Sequence, residues 1–455
     1  MGTAPEIDAT APVPGVRGVS LVALAKDPFG YCMKAAQQGD GLVRLGAGPV
    51  RAYLVSHPDY VRHILVGNAA NYIKGSIMDG IRLALGNGLF TSDGDFWRRQ
   101  RRLMQPAFHN RRIQRMAETV VEATDASMAS WAPAVANGTP IDILRESVQI
   151  NITIILKTLF GTDIDDKRST RLHDLTDQVF AGMTRRVWTF FVPSWLPTPG
   201  ASAYGRAIEA LDQEIYALIA ARRAALADGD AGEDLLSALI QAEDAETGER
   251  MSDRQLRDEV FTIFIAGYES TATGVAWAWH LLTGHPEAAA RLREEVDRVL
   301  DGRRPGYDDL AELTYTRQVV SETFRLYPAF PMYFRGSVED DVVGPYAIPG
   351  GANIIISPYA THHDPRHWDD PETFDPDRFT PERYDARARD AYYPFGKGQR
   401  MCIGEPMSLT IAQLLIATIA QAYEVRAVPG AQVTGRYAMT YQPKNGLPVV
   451  LTPRG

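Results

Sequence analysis

Tyr392–Leu409 reads YYPFGKGQRMCIGEPMSL. Its cysteine, Cys402, stands among glycines, two residues after Arg400 and just ahead of an apolar run that starts near Glu405. The chain holds 2 cysteines, Cys32 and Cys402, so no disulfide framework explains this one. A buried cysteine is ordinarily an inert small hydrophobe, and Cys32, in FGYCMKAAQQ, reads that way. A nucleophilic thiol would gain from helix amides behind Cys402. It also needs a base, and no histidine follows His367. The third reading is a metal ligand: a buried thiolate is very costly without a cation, and iron supplies one. Gly396, Gly398 and Gly404 favour this reading, because they let the backbone turn tightly and approach a flat group closely. Arg400 can then reach an anionic substituent of that group, and Phe395 can shield the sulfur from water.

Helical patterns surround the loop. Ser252 and Gln255 in SDRQ form a capping box, and the pattern they open runs to about Thr283, where Gly284 and Pro286 end it. A helix of about 30 residues is near 45 Å long and must cross the whole body of the protein. A second helix follows over Pro286–Leu300, a third ends at SETFRLYP, and the last runs from Glu405 to about Tyr423. Asp95 to about Leu226 is mostly helical. It is broken at FFVPSWLPTPG (Phe190–Gly200), which suits a lid or access rim, or a loop pinned by Trp195. VRLGAGPVRAYLVSHPDYVRHIL predicts two short strands and a helix, and YAIPGGANIIISPYA holds an alternating strand. The fold expected is mainly α with small β-sheets (α+β). Residues 1–20 read as a flexible Pro-rich tail and 21–455 as one domain.

Composition narrows the function. The 455 residues are 45% hydrophobic and 23% charged, with 47 basic and 56 acidic side chains and a net charge of −9. These are soluble globular proportions, and the acidic balance argues against nucleic-acid binding. Glu6 and Asp8 precede any basic residue, and the apolar run Val19–Ala25 is short, so neither a signal peptide nor a membrane anchor is expected. The location expected is cytoplasmic, in a reducing compartment.

The spacing Phe395-x-x-Gly398-x-Arg400-x-Cys402-x-Gly404 resembles the haem-binding loop of cytochrome P450, in which a cysteine thiolate ligates haem iron. Further segments are similar to that family, in the same order, over about residues 28–453. AGYEST (Ala266–Thr271) resembles its oxygen-binding segment, where Ala266 and Gly267 open a groove and an acid–alcohol pair relays protons. The family usually has threonine after the acid. Here Ser270 follows Glu269, and Thr271 comes one later, so either hydroxyl could serve. ETFR places Glu322 and Arg325 at i, i+3, worth about 0.3–0.5 kcal/mol as a surface pair. With PETFDPDRF (Pro371–Phe379) it resembles a structural network completed by Arg378. The histidines of THHDPRHWDD, read alone, make a zinc site conceivable. Trp97 and Arg101, at i, i+4 in DFWRRQRRLMQPAFH, match a pair that holds a haem propionate. Arg335 and Arg400 match the other propionate ligands.

The resemblance implies a monooxygenase carrying haem b (iron protoporphyrin IX) on Cys402, with Glu269 and Ser270 or Thr271 delivering protons. It uses O2 and electrons from a separate ferredoxin and NAD(P)H-dependent ferredoxin reductase, since too little chain follows Cys402 for a fused reductase. Seven arginines between Arg98 and Arg115 suit docking of an acidic donor or a solvated helix face. The substrate walls expected are Met78 in SIMDGIRLAL, Ile265 with Ala266, Phe330 and Tyr333 in AFPMYF, and Met439. They are mostly apolar and imply a lipophilic substrate, a terpenoid or polyketide-type product of secondary metabolism by analogy. A fatty-acid hydroxylase, a donor-independent peroxygenase, and a haem-based sensor or carrier are the alternatives.

Overall fold

The computed structural model describes residues 12–16, 26–45, 51–161, 166–189, 200–230, 232, 234–384 and 390–454. Its longer helices are α1 (Gly94–Met104), α2 (Asn110–Ser130), α3 (Ile143–Phe160), α4 (Asp166–Trp188), α5 (Ala201–Ala227), α6 (Asp253–Gly284), α7 (Pro286–Leu300), α8 (Thr314–Leu326) and α9 (Glu405–Ala422). The strands are short: β1 (Leu42–Arg44), β2 (Ala52–Val55), β3 (Tyr72–Ile73), β4 (Ile141–Asp142), β5 (Tyr333–Ser337), β6 (Asp341–Val343), β7 (Tyr346–Ile348), β8 (Asn353–Ile356), β9 (Tyr423–Ala427), β10 (Gly435–Ala438), β11 (Thr440–Pro443) and β12 (Pro448–Pro453). The mainly α architecture with small sheets is the one expected. The Pro-rich segment ending at Gly200 falls almost wholly outside the described residues.

Helix α6 is the axis. The Ser252 hydroxyl accepts from the Gln255 amide and the Gln255 side chain answers at the Ser252 amide, so the capping box forms as its spacing predicts. The helix is 32 residues long, and side chains on every face are buried from Leu256 to Leu282. A helix apolar all round belongs in a core. One buried cluster takes side chains from Tyr31 to Leu451, with α3, α8 and α9 packed about α6.

The largest sheet runs β1-β2-β8-β5-β3. Strand β8 is parallel to β2 (Leu54↔Ile355) and antiparallel to β5 (Phe334↔Ile355), which fixes Arg335 on an interior strand. Residues 12–16 extend this sheet. Arg44 donates its N–H to Pro14 O (2.9 Å) and Val16 donates to Arg44 O (3.3 Å). That part of the expected flexible tail is therefore tied to β1; residues 1–11 and 17–20 lie outside the described residues.

Behind the Cys402 loop lies a buried ionic network. Glu322 and Arg325 are both 0% exposed, so the surface-pair energy does not apply. Arg325 grips Glu322 with two N–H groups (2.7 and 2.8 Å) and donates others to the carbonyls of His362, Pro371 and Thr373. Arg378 Nε lies 3.3 Å from Glu322, and the Asp375 amide donates to the same carboxylate (3.0 Å). Satisfying every arm is what makes a buried pair tolerable. Among the described residues no cluster of His, Cys, Asp and Glu is arranged for a metal. His362 instead accepts the Tyr393 N–H (3.2 Å) through Nε2 and meets Arg325 O through Nδ1 (3.0 Å). It links the network to the start of the Cys402 loop.

Candidate active site

The Cys402 loop turns on Gly396 (φ +77°) and Gly398 (φ +69°). At Gly398 a Cβ would stand 2.2 Å from the Leu65 carbonyl oxygen, so left-handed backbone and close approach coincide there. Cys402 N–H donates to Phe395 O (2.9 Å) and closes the turn. The thiol opens onto a large cavity that Phe395 and Gly404 also line. Burial pushes its pKa up. The Gly404 N–H pulls it down, the Glu405 carboxylate opposes this, and the Arg101 guanidinium and the Glu405 N–H pull it down further. A sulfur with amide donors already aimed at it becomes an anion once a cation compensates it. Cys32 has no such company: it is 0% exposed and burial pushes its thiol up to about 12.

One end of the cavity collects positive charge. Trp97, Arg101, Arg335 and Arg400 all line it. Arg400 lies over the Trp97 ring (4.3 Å) and donates to Asp93 (2.7 Å) and Ser92 O (2.9 Å), yet its Nη1 is buried without a partner. Arg335 is 8% exposed and gives one N–H to Phe334 O (2.7 Å). Arg101 donates to Met401 O (3.0 Å). Buried guanidinium groups with donors to spare call for carboxylates, so the residues fit a group bearing both iron and carboxylates.

Helix α6 supplies the facing wall through Thr262, Ile263, Ala266, Gly267, Ser270 and Thr271. The Ser270 hydroxyl donates to Ala266 O (2.7 Å). The Thr271 hydroxyl lies 2.8 Å from that of Ser408 on α9. Glu269 is buried but is not on the cavity wall. Its carboxylate accepts from the Thr440 hydroxyl (2.7 Å) on β11, and burial raises its pKa to about 7 against the pull of that hydrogen bond. Ile265 is buried too, but it is not among the lining residues. At about 100° per residue it points away from the face shared by residues 263, 266 and 270, so Thr262 and Ile263, not Ile265, line the cavity there. Met78, Phe330, Tyr333 and Met439 reach the cavity. The Tyr333 hydroxyl is committed to Pro394 O (2.5 Å), so it braces the Cys402 loop. Met439 holds φ +67° at the tip between β10 and β11, a left-handed conformation uncommon for a residue with a side chain.

The sequence profile of the cytochrome P450 family matches residues 12–446. The chain belongs to the cytochrome P450 family. It is 37% identical over 410 residues to a cyclooctat-9-en-7-ol 5-monooxygenase of Streptomyces melanosporofaciens, covering 90% of this chain and 87% of that one. It is 34% identical to the pentalenene oxygenase of Streptomyces avermitilis, with 92% of each chain covered. The solved cytochrome P450DA haem domain superposes with a TM-score of 0.87 at 26% identity, covering 98% of both chains. Membership brings haem b bound through a cysteine.

Several residues that shape this P450 cavity escaped the sequence reading. Asn151 on α3 donates its Nδ2 to both Gly267 O and Tyr268 O (2.6 Å each), and a Cβ on Gly267 would meet Ile155 Cδ1 at 2.8 Å. The Ala266–Gly267 notch is thus filled from behind by α3. Asp258 and Glu259 staple the turn after Leu85 to α6: they accept the Asn87 and Leu89 amides at 2.9 Å each. An acid inside an apolar helix was the available signal. The arginine run also reads differently in three dimensions. Arg98 pairs with Asp95, Arg99 with Glu249 (2.9 Å), and Arg102 with Asp244 (3.2 Å) and Glu246 (2.8 Å). Much of that charge is balanced within the chain.

Glu259 is 0% exposed and burial raises its pKa to about 8 from 4.5. The folded value exceeds the unfolded one, so folding takes up a proton, and stability through this group falls as pH rises from about 4.5 to about 8. Glu259→Gln keeps the acceptor for Leu89 and has no proton to lose. In urea titrations its stability relative to the parent should rise by about 1–3 kcal/mol between pH 6 and pH 8 and then level. A constant difference across that range would contradict the assignment.

Proposed function

We propose that the protein is a haem-thiolate monooxygenase, with Cys402 as the iron ligand, that inserts one oxygen atom from O2 into a lipophilic, terpenoid-type substrate. The observation that carries this reading is the pairing, on one largely apolar cavity, of an amide-cradled thiol at Cys402 with the Ala266–Thr271 segment opposite an arginine-rich end. Relatives named as a cyclooctat-9-en-7-ol 5-monooxygenase and a pentalenene oxygenase support the substrate class. Trp97, Arg101, Arg335 and Arg400 hold the haem carboxylates, and Phe395 with Gly404 covers the sulfur side. Once bound, the haem supplies the activation of O2 and the oxidation of an unreactive carbon.

The protein's own residues manage the substrate and the protons. Met78, Ile263, Phe330 and Met439 exclude water and orient an apolar molecule. Ser270 presents its hydroxyl on the cavity wall, parked on Ala266 O. Glu269 is the proton reservoir, poised near neutrality but held by Thr440. It must leave Thr440 by a side-chain rotation to recharge Ser270. The Thr271 hydroxyl is engaged with Ser408 instead, which favours Ser270 as the relay. Electrons come from a separate ferredoxin and its reductase in the cytoplasm. Among the described residues no helix is long and apolar enough to cross a membrane.

The reduced, carbon-monoxide-bound spectrum tests the reading. The parent protein should show the strongly red-shifted Soret band of a thiolate-ligated haem, and Cys402→His should lose it; an unchanged band in the variant refutes the ligand. For the relay, product formed per NADPH should fall several-fold more in Ser270→Ala than in Thr271→Ala, with O2 consumption maintained. The reverse order would make Thr271 the relay.

A further inference from the structure

Met439 is the single residue between the paired Ala438 and Thr440 at the tip of the β10–β11 hairpin. It lines the cavity, as does Tyr437 of the same hairpin. Its φ of +67° is left-handed, a conformation that a residue with a side chain keeps only where the surrounding packing holds it. Thr440, the next residue, is 0% exposed and gives its hydroxyl to Glu269 (2.7 Å). The Gln442 side chain, also on β11, bonds the same carboxylate. Tyr441, between them, is pinned at both main-chain groups. Its N–H donates to Ala329 O (2.9 Å), and its carbonyl accepts from Trp277 Nε1 on α6 (2.7 Å). Thr440 therefore sits between a fixed residue and a strained tip that is cavity wall. Burial raises the Glu269 pKa to about 7; the Thr440 bond draws it down, Asp177 on α4 pushes it up, and Arg436 on β10 and Gln442 draw it down. On α6 itself the neighbouring Tyr268 feels both Asp177 and Glu269.

We propose that the hairpin tip couples substrate fit to proton delivery: a molecule seated against Met439 shifts Thr440 off Glu269 and frees that acid to turn to Ser270. The inference rests on the haem monooxygenase reading, in which Glu269 stores the proton. Met439 and Thr440 are positioning residues; neither passes a proton. An empty cavity leaves the acid parked on β11, away from the relay. Losing the Thr440 bond takes a donor from the charged form of Glu269 and raises its proton affinity. The released side chain is then the protonated one, which is the form that can donate to Ser270.

Infrared pH titration of the ferric holoprotein reads Glu269 without substrate or turnover, its protonated-carboxyl band being the one lost in Glu269→Gln. Thr440→Val should raise the titration midpoint by about one pH unit, a tenfold change in proton affinity, and Thr440→Ser should stay within about 0.3 of a unit of the parent. Met439→Trp, whose larger side chain stands in for a seated molecule, should raise the midpoint by about half a unit or more, with Met439→Ala parent-like. In the Thr440→Val background Met439→Trp should add nothing, because both act through one bond. A parent-like midpoint in Met439→Trp, or shifts that add in the double variant, overturns the coupling. Should Met439→Trp fail to fold, Met439→Phe carries the same expectation. The reduced carbon-monoxide spectrum of the parent reads the haem assignment separately: a missing thiolate-type band refutes that assignment, whatever the Glu269 midpoints show.

Discussion

A cysteine sulfur on the wall of a largely apolar cavity, with two backbone amides aimed at it, is the constraint around which the structure is arranged. Desolvation of a lone thiolate is costly, and burial alone would leave Cys402 as inert as Cys32. The backbone offsets part of the cost by aiming the Gly404 and Glu405 amides at the sulfur. That geometry requires a tight turn, hence Gly396 and Gly398 at positive φ, with the Leu65 carbonyl too near Gly398 to admit a side chain. The haem iron that the family binds through a cysteine would supply the remaining compensation.

The turn needs a rigid seat, and polar groups deep in the protein provide it. The Glu322–Arg325 pair is fully buried and spends its other donors on carbonyls of the segment that carries Arg378. His362 and the Tyr333 hydroxyl pass that order to residues 393 and 394. The opposite wall is held similarly. Asn151 secures the carbonyls at the α6 notch, while Asp258 and Glu259 fix the turn that carries Leu89. These interactions fix positions; they are kept where the site demands geometry, although an apolar pair would pack at less cost.

How much of this is legible in the sequence depends on the range of each interaction. Turn glycines, the Cys402 spacing and the Ser252 capping box are local, and they appear in three dimensions where their spacing places them. The orientation of residues around α6 is not local. A helix buried on every side has no polar stripe to set its phase, so Ile265 and Ile263 look equivalent in sequence although only Ile263 reaches the cavity. An i, i+3 ion pair reads the same at the surface as in the core, which hid the burial of Glu322 and Arg325. Arg99 and Arg102 read as part of a basic patch because their partners, Asp244 to Glu249, lie more than a hundred positions away.

The central claim is that one specific sulfur of this chain meets iron. Iron K-edge X-ray absorption of the purified holoprotein tests it at the atom concerned. One sulfur scatterer is expected in the first shell of the parent protein and of Cys32→Ser, and none in Cys402→Ser. Sulfur retained in Cys402→Ser, or a shell of nitrogen and oxygen alone in the parent, would contradict the account.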